Sequence, residues 1–247
     1  MEKIMKTLVI IPSRMSATRL PGKPLLKING LSIISHVSKK AEEANIGDVI
    51  VATENQEIVE DVKRNGFNAI LTSNKHKTGT DRIHEALKKL NIRDIDFIMN
   101  LQGDEPAIDV QDIVSLNDKM VQNSSNLGTL AAIIKDNKNL KNENIVKVIT
   151  ESALEESNFP RSISFLRKSE QIDKIYHHIG VYCYSKDTLE KFVQFSQSKN
   201  EIENRLEQLR ALDNNIDINV SLAKSSPIGV DTKEDYIALK KIMEYKS

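Results

Sequence analysis

Short apolar runs and helical stripes alternate along the first half of the chain. Thr7 to Ile11 is a continuous apolar run of strand length that ends at Pro12, the pattern of a buried strand. Leu31 to Ala44 places Ile34, Val37, Ala41 and Ala44 at helical spacing, and Asp48 to Thr53 reads as a second strand. The pattern repeats with Ile58, Val59 and Val62 on a short helix closed by Gly66, then Ala69 to Leu71 as a strand. Ile83, Ala86, Leu87 and Leu90 share a helical face, Asp96 to Leu101 is a strand, Asp109 to Gln122 a helix, and Leu127 to Ile134 a strand. Such alternation predicts parallel βαβ units with right-handed crossovers.

The second half reads differently. Lys135 to Asn144 is a polar loop, and from Ile145 the strands become longer and more alternating, as in antiparallel pairing. His177 to Tyr184 alternates after Gly180. Asn204 to Leu212 carries Leu206, Leu209 and Leu212 on one side of a helix, and Ile216 to Ala223 is a late strand. The closing helix bears Ile237, Leu239, Ile242 and Met243, with Thr232 or Asp231 as its cap and Glu234 and Asp235 in its first turn.

At 247 residues the chain is long enough for an ordinary core, and no linker-like stretch marks a boundary, so one domain over 1–247 is expected. Lys+Arg and Asp+Glu are both 35, which leaves no global field to draw nucleic acid or an anionic membrane. No signal-like segment stands at the start, and no apolar run approaches the ~20 residues of a membrane span. Cys183 is the single cysteine and sits in an apolar segment, as a buried small hydrophobe does. These features predict a cytoplasmic protein without membrane insertion.

Candidate chemistry begins just past the first strand. Pro12, Pro21, Gly22 and Pro24 stiffen a loop that they keep from becoming a helix, and it carries Arg14, Arg19 and Lys23. No Asp or Glu occurs between Glu2 and Glu42. Three cations without local acids, on a braced loop at a strand end, suit a polyanion such as a phosphate chain. Ala17 and Pro24 exclude a Walker loop. Thr78-Gly79-Thr80-Asp81-Arg82 opens a helix whose free amides suit a nucleobase or an anion, or simply a capped start. Gln102-Gly103-Asp104-Glu105-Pro106 follows a strand, where its carboxylates are placed for a hard cation or for a turn. His177 and His178 fall on opposite faces of a strand and make a poor metal pair.

The stretch Pro12-x-Arg14-x-x-x-Thr18-Arg19-Leu20-Pro21-Gly22-Lys23-Pro24-Leu25 closely resembles the N-terminal signature of the sugar-acid cytidylyltransferases. Thr78 to Arg82, Gln102 to Pro106, His178-Ile179-Gly180-Val181-Tyr182, Leu206 to Leu212 and Gly229-Val230-Asp231-Thr232 resemble further motifs of that family, in family order. Phe159-Pro160-Arg161-Ser162 departs from it at Pro160, and Lys233 replaces a usual proline.

The resemblance implies an α/β, three-layer fold of the nucleotide-diphospho-sugar-transferase kind, with a mixed, mostly parallel central sheet flanked by helices. Its nucleotide half would be about 1–135 and its sugar-binding and dimerisation half about 136–247. It implies transfer of CMP from CTP to an acidic eight-carbon sugar, Kdo, with release of diphosphate, by a Mg2+-dependent homodimer that feeds lipopolysaccharide synthesis. By the same resemblance Pro12, Ser13, Arg14, Lys23, Thr78, Gly79 and Asp81 hold the nucleotide. Arg82, Gln102, Arg161, His178, Tyr182, Glu207 and Gln208 face the sugar, Asp104 and Asp231 hold the metal, and Arg14, Lys23 and Asp104 carry the catalysis. Other readings are a cytidylyltransferase for 8-amino-Kdo or a sialic-type acid, and a CTP-sensing protein without turnover.

Overall fold

The computed structural model describes residues 5–16 and 19–245; Ala17 and Thr18 of the basic signature lie outside the described residues. The chain divides into two compact units, one running to Ile113 and resuming at Pro227, the other Val114–Ser226.

In the first unit β1 (Thr7–Ser13) leads into the basic loop. The loop closes in a single 3-10 turn (Lys23–Leu25) before β2 (Lys27–Ile28) and β3 (Leu31–Ser32) form a small hairpin. Then come α1 (Ile33–Ala44), β4 (Gly47–Thr53), α2 (Gln56–Arg64), β5 (Ala69–Leu71), α3 (Gly79–Leu90), β6 (Phe97–Asn100) and α4 (Val110–Asn123), within which the unit boundary falls. The strand order is β6-β1-β4-β5, all parallel. Leu8, Val9, Ile10 and Ile11 have no exposure, as in a parallel strand covered on both faces. The chain runs outward from β1 to β4 and β5 and then crosses back to β6. That reversal makes β1 the switch strand, with a ligand crevice expected beyond its carboxyl end.

The 3-10 turn corrects the expectation of a loop free of helix. Pro24 sits in its first turn, where a missing amide costs nothing, and Gly22 before it has φ +72, a backbone state open to glycine. α1 is started by Ser32, whose hydroxyl accepts from the Ser35 amide and donates to buried Asp61 of α2 at 2.5 Å.

The second unit holds β7 (Leu127–Ile133), α5 (Lys138–Lys141), β8 (Lys147–Thr150), β9 (Ser162–Leu166), β10 (Ile175–Ser185), α6 (Lys186–Phe192), α7 (Lys199–Asn204), α8 (Leu209–Asp213) and β11 (Asn219–Leu222). Its strand order is β11-β7-β10-β8-β9. β11 runs parallel to β7 and the other pairs are antiparallel, the change of pairing the strand pattern predicts. Cys183 is fully buried, and burial pushes its thiol well above its usual range. The polar stretch read as loop holds the one-turn α5. Beside it Lys147, fully buried, donates 2.7 Å hydrogen bonds to the carbonyls of Asn142, Ile145 and Arg167. Its ammonium thereby ties β8 and β9 to the preceding turn.

The helix expected over Asn204 to Leu212 is instead two. Ser198 and Glu201 form a reciprocal cap that starts α7 earlier, Arg205 turns left-handed at φ 54, and α8 begins only at Leu209. What folds α8 back onto α7 is a buried fork: Arg210 Nη2 lies 2.5 Å from Glu201 Oε1 and its Nε 2.8 Å from Oε2. The guanidinium also lies 4.8 Å from the Phe192 ring centre.

After Pro227 the chain rejoins the first unit as α9 (Lys233–Tyr245), capped by Thr232, whose hydroxyl accepts from the Asp235 amide. Val230 and Leu239 pack with Ile28 and Ile33, against Leu20, Leu26, Tyr236 and Met243. This small core fastens the tail to the basic loop. Among the described residues no helix is long and apolar enough to cross a membrane.

Both members of the Glu201–Arg210 pair are 4% exposed, so removing the arginine strands a buried carboxylate. Arg210→Leu is expected to cost about 3–5 kcal/mol in chemical denaturation of the intact protein. A loss within the noise of the measurement would show the fork to be dispensable.

Candidate active site

The crevice expected beyond β1 is present. A cleft of about 360 Å³ is lined by Pro12, Ser13, Arg14, Ser16, Arg19, Lys23, Pro24, His76, Lys77, Thr78, Gly79, Arg82, Gln102, Gly103, Asp104 and Asp231. All of these belong to the first unit. β1 delivers Pro12 and Ser13, α3 presents its N-terminus with Thr78 and Gly79, and the turn after β6 supplies Gln102 to Asp104. Gly103 allows the close approach of that turn: a Cβ there would stand 2.9 Å from the Pro12 carbonyl oxygen and 3.1 Å from Ile34 Cδ1.

The basic loop is held at both ends. The Met15 amide donates to Asn55 Oδ1 at 2.9 Å, and the Gly22 amide donates to the Met15 carbonyl at 3.1 Å. Lys23 is thereby aimed inward, its side chain 14% exposed. Its Nζ donates to Asp104 Oδ2 at 2.5 Å, to the Val230 carbonyl at 2.9 Å and to Asp231 Oδ1 at 3.2 Å. Arg19 Nη2 takes the other Asp231 oxygen, Oδ2, at 2.8 Å. The two aspartates are brought close by a backbone bond from the Val230 amide to the Asp104 carbonyl, 2.9 Å. Burial alone lowers the Lys23 pKa, but Asp104 and then Asp231 outweigh it and hold the ammonium above its usual value.

Beside them Glu105 has a buried Oε2 without a hydrogen-bond partner. Burial, then the charges of Asp104 and Asp231, push it up to about 8 against the opposing Lys23, so near neutral pH it keeps its proton. Among the described residues no three His, Cys, Asp or Glu side chains group as a metal cage. Two carboxylates converging on one cation nevertheless fit Mg2+, which usually takes one or two carboxylates and fills its remaining positions with water and substrate phosphate oxygens.

Opposite, the loop before α3 is fixed by Glu85. It accepts from the Ser73 amide at 2.9 Å, pairs with Lys89 at 2.8 Å and is in contact with His76 Nε2. Burial works against its charge, but Lys89, His76 and the Ser73 amide hold Glu85 down to about 2. Thr78 caps α3 by accepting from the Asp81 amide at 3.1 Å. Arg82 lines the cleft, yet its guanidinium is buried against Glu54, Thr72 Oγ1 at 2.6 Å and the Ser73 carbonyl at 3.2 Å.

The cleft therefore unites Pro12, Ser13, Arg14, Lys23, Thr78, Gly79, Arg82, Gln102, Asp104 and Asp231. Asp81 stands in the first turn of α3 and is not among the lining residues. Arg161, His178, Tyr182, Glu207 and Gln208 belong to the second unit. There His178 is buried with Nε2 3.0 Å from Thr129 Oγ1, and burial, then His177, push it down to about 3. Tyr182 lies 5.5 Å from it between ring centres, its hydroxyl pushed up by burial, then by Tyr184 and Glu207. Gln208 is buried at the start of α8. Arg161 is exposed and paired with Glu151 at 3.3 Å and Asp217 at 3.2 Å.

Sequence reasoning missed Arg19 as a partner of Asp231, as well as His76 and Lys77, and it placed the Glu105 carboxylate for a cation where the structure buries it. Arg19 and Glu105 lie inside motifs already singled out, whereas His76 and Lys77 sit in a polar loop that carries no periodic signal.

Known proteins similar to this chain are cytidylyltransferases. A family model described as cytidylyltransferase matches residues 8–218. The 3-deoxy-manno-octulosonate cytidylyltransferase of Mesorhizobium japonicum is 41% identical over 94% of this chain and 96% of its own length. That of Sinorhizobium medicae is 39% identical over 100% and 99%. A solved CMP:2-keto-3-deoxy-manno-octonic acid synthetase complexed with CTP superposes with a TM-score of 0.89 at 31% identity, covering 98% of this chain and 100% of that one. A nucleotidyl transferase from Methanothermobacter, 12% identical over 98% of this chain and 99% of its own with a TM-score of 0.64, shares the fold alone. The chain belongs to the cytidylyltransferase family, among its 3-deoxy-manno-octulosonate cytidylyltransferases.

Proposed function

We propose that this protein is a Mg2+-dependent cytidylyltransferase that converts CTP and Kdo to CMP-Kdo and diphosphate. The observation that carries the reading is the meeting of Lys23, Asp104 and Asp231 at one point of a cation-lined cleft. Such a site can take a triphosphate and a divalent ion together.

In the proposed reaction the anomeric hydroxyl of the sugar attacks the α-phosphorus. The bond to the oxygen bridging the β-phosphate breaks, diphosphate leaves with that oxygen, and the hydroxyl proton passes to solvent. No bond to the protein forms, so rate comes from positioning and from meeting charge as it develops. Pro12, Ser13, Thr78, Gly79 and Asp81 hold the nucleotide, while Arg14 and Lys23 take the charge of the departing diphosphate. Arg82, Gln102, Arg161, His178, Tyr182, Glu207 and Gln208 are the sugar side of the proposal. Arg161 reaches a sugar carboxylate only by leaving Glu151 and Asp217. Asp104 and Asp231 would hold Mg2+, which when bound would supply charge neutralisation at the phosphate and acidify the attacking hydroxyl. We further propose a cytoplasmic homodimer whose product supplies lipopolysaccharide.

Diphosphate release from CTP, measured across Kdo, 8-amino-Kdo and a sialic acid, is expected to be fastest with Kdo and to stop with EDTA. Binding of CTP without release from any acid would instead mark a nucleotide sensor. Asp104→Asn and Asp231→Asn are each expected to lower kcat by about a hundredfold or more with unchanged circular dichroism. Near-normal turnover in both variants would remove the ion-binding role from these aspartates.

A further inference from the structure

We infer that Lys23 stands in for the divalent ion while the nucleotide is absent, so that the site admits the ion together with a triphosphate and resists it alone. This rests on the function proposed above. An ammonium has three donors, and all three are used: on Asp104 Oδ2, the Val230 carbonyl and Asp231 Oδ1. Arg19 occupies the remaining Asp231 oxygen. Two carboxylate charges thus face two cationic side chains, and this pair of aspartates is balanced as it stands.

An ion arriving alone must expel the ammonium from a position in which the side chain is 14% exposed. It leaves Lys23 and Arg19 without anions in a cleft already lined by Arg14 and Lys77. Glu105 offers no relief, because its Oε2 is buried away from any hydrogen-bond partner. A triphosphate changes the balance. Its oxygens accept Lys23 and Arg19, freeing the carboxylates for the ion, and the remaining ligand positions of Mg2+ are of the kind phosphate oxygens fill. Because binding couplings are reciprocal, the ion also tightens the nucleotide.

The test uses Mn2+ as the probe, its binding to the full chain read by electron paramagnetic resonance without nucleotide. Lys23→Met is expected to bind Mn2+ about tenfold or more tighter than the wild type, within the range of ordinary site couplings. That gain is expected to vanish in Lys23→Met/Asp104→Asn. Mn2+ is also expected to raise the Tm of Lys23→Met and to leave the wild-type Tm nearly unmoved. Equal or weaker binding by Lys23→Met, or a gain that survives Asp104→Asn, overturns the inference. Should Lys23→Met not fold, Lys23→Gln is read by the same criteria. Wild-type diphosphate release from CTP and Kdo separates the two failures. Turnover without a Mn2+ gain sinks the stand-in role alone, whereas no turnover with any sugar acid sinks the function and leaves the Mn2+ result to decide the rest.

Discussion

One ammonium group enclosed by three oxygens sets the geometry of the ligand-facing end of the first unit. Lys23 comes from the loop after β1, Asp104 from the turn after β6, and Val230 and Asp231 from the segment before α9. A buried lysine needs compensating acceptors, and here they are supplied from 81, 207 and 208 residues away in the chain. The loop bearing it can therefore be rich in cations with no acid of its own.

That arrangement is possible because the backbone around it leaves little freedom. β1 is covered on both faces and flanked by β6 and β4, so the loops at its carboxyl end start from fixed points. Gly103 lets the turn after β6 approach Pro12 more closely than any side chain would permit. The packing of Leu20 and Leu26 with Ile28, Ile33, Val230 and Leu239 then holds the basic loop against the tail. Apolar contacts fix where the charges sit, and the charges settle which groups meet.

Much of this was legible in the amino-acid sequence, for identifiable reasons. Strands such as β1 and β5 and helices such as α1 and α3 have strong local patterns, with turn residues or caps at their ends. Lys23 stands out by the composition of its loop, whereas Asp104 and Asp231 could be named in advance only through the family resemblance of their motifs. What local reading could not supply was pairing. Nothing near Arg19 points to Asp231, and nothing near Arg82 points to Glu54, because such contacts depend on how strands are ordered in space. The break at Arg205 was hidden for a related reason: leucines at 206, 209 and 212 keep a helical spacing across it, while the Glu201–Arg210 fork that sets the bend acts between two helices. The single turn at Lys138–Lys141 was too short to leave a periodic trace.

The lateness of Asp231 has a consequence for how the protein is made. Lys23 emerges from the ribosome 208 residues before the aspartate that completes its coordination, and Val230, which anchors the small core on the basic loop, emerges only 207 residues after Lys23. β1, β4, β5 and β6 are all synthesised while the basic loop still waits for both. A chain cut short upstream of this segment carries every strand of the first unit yet lacks two of the three oxygens that enclose the Lys23 ammonium.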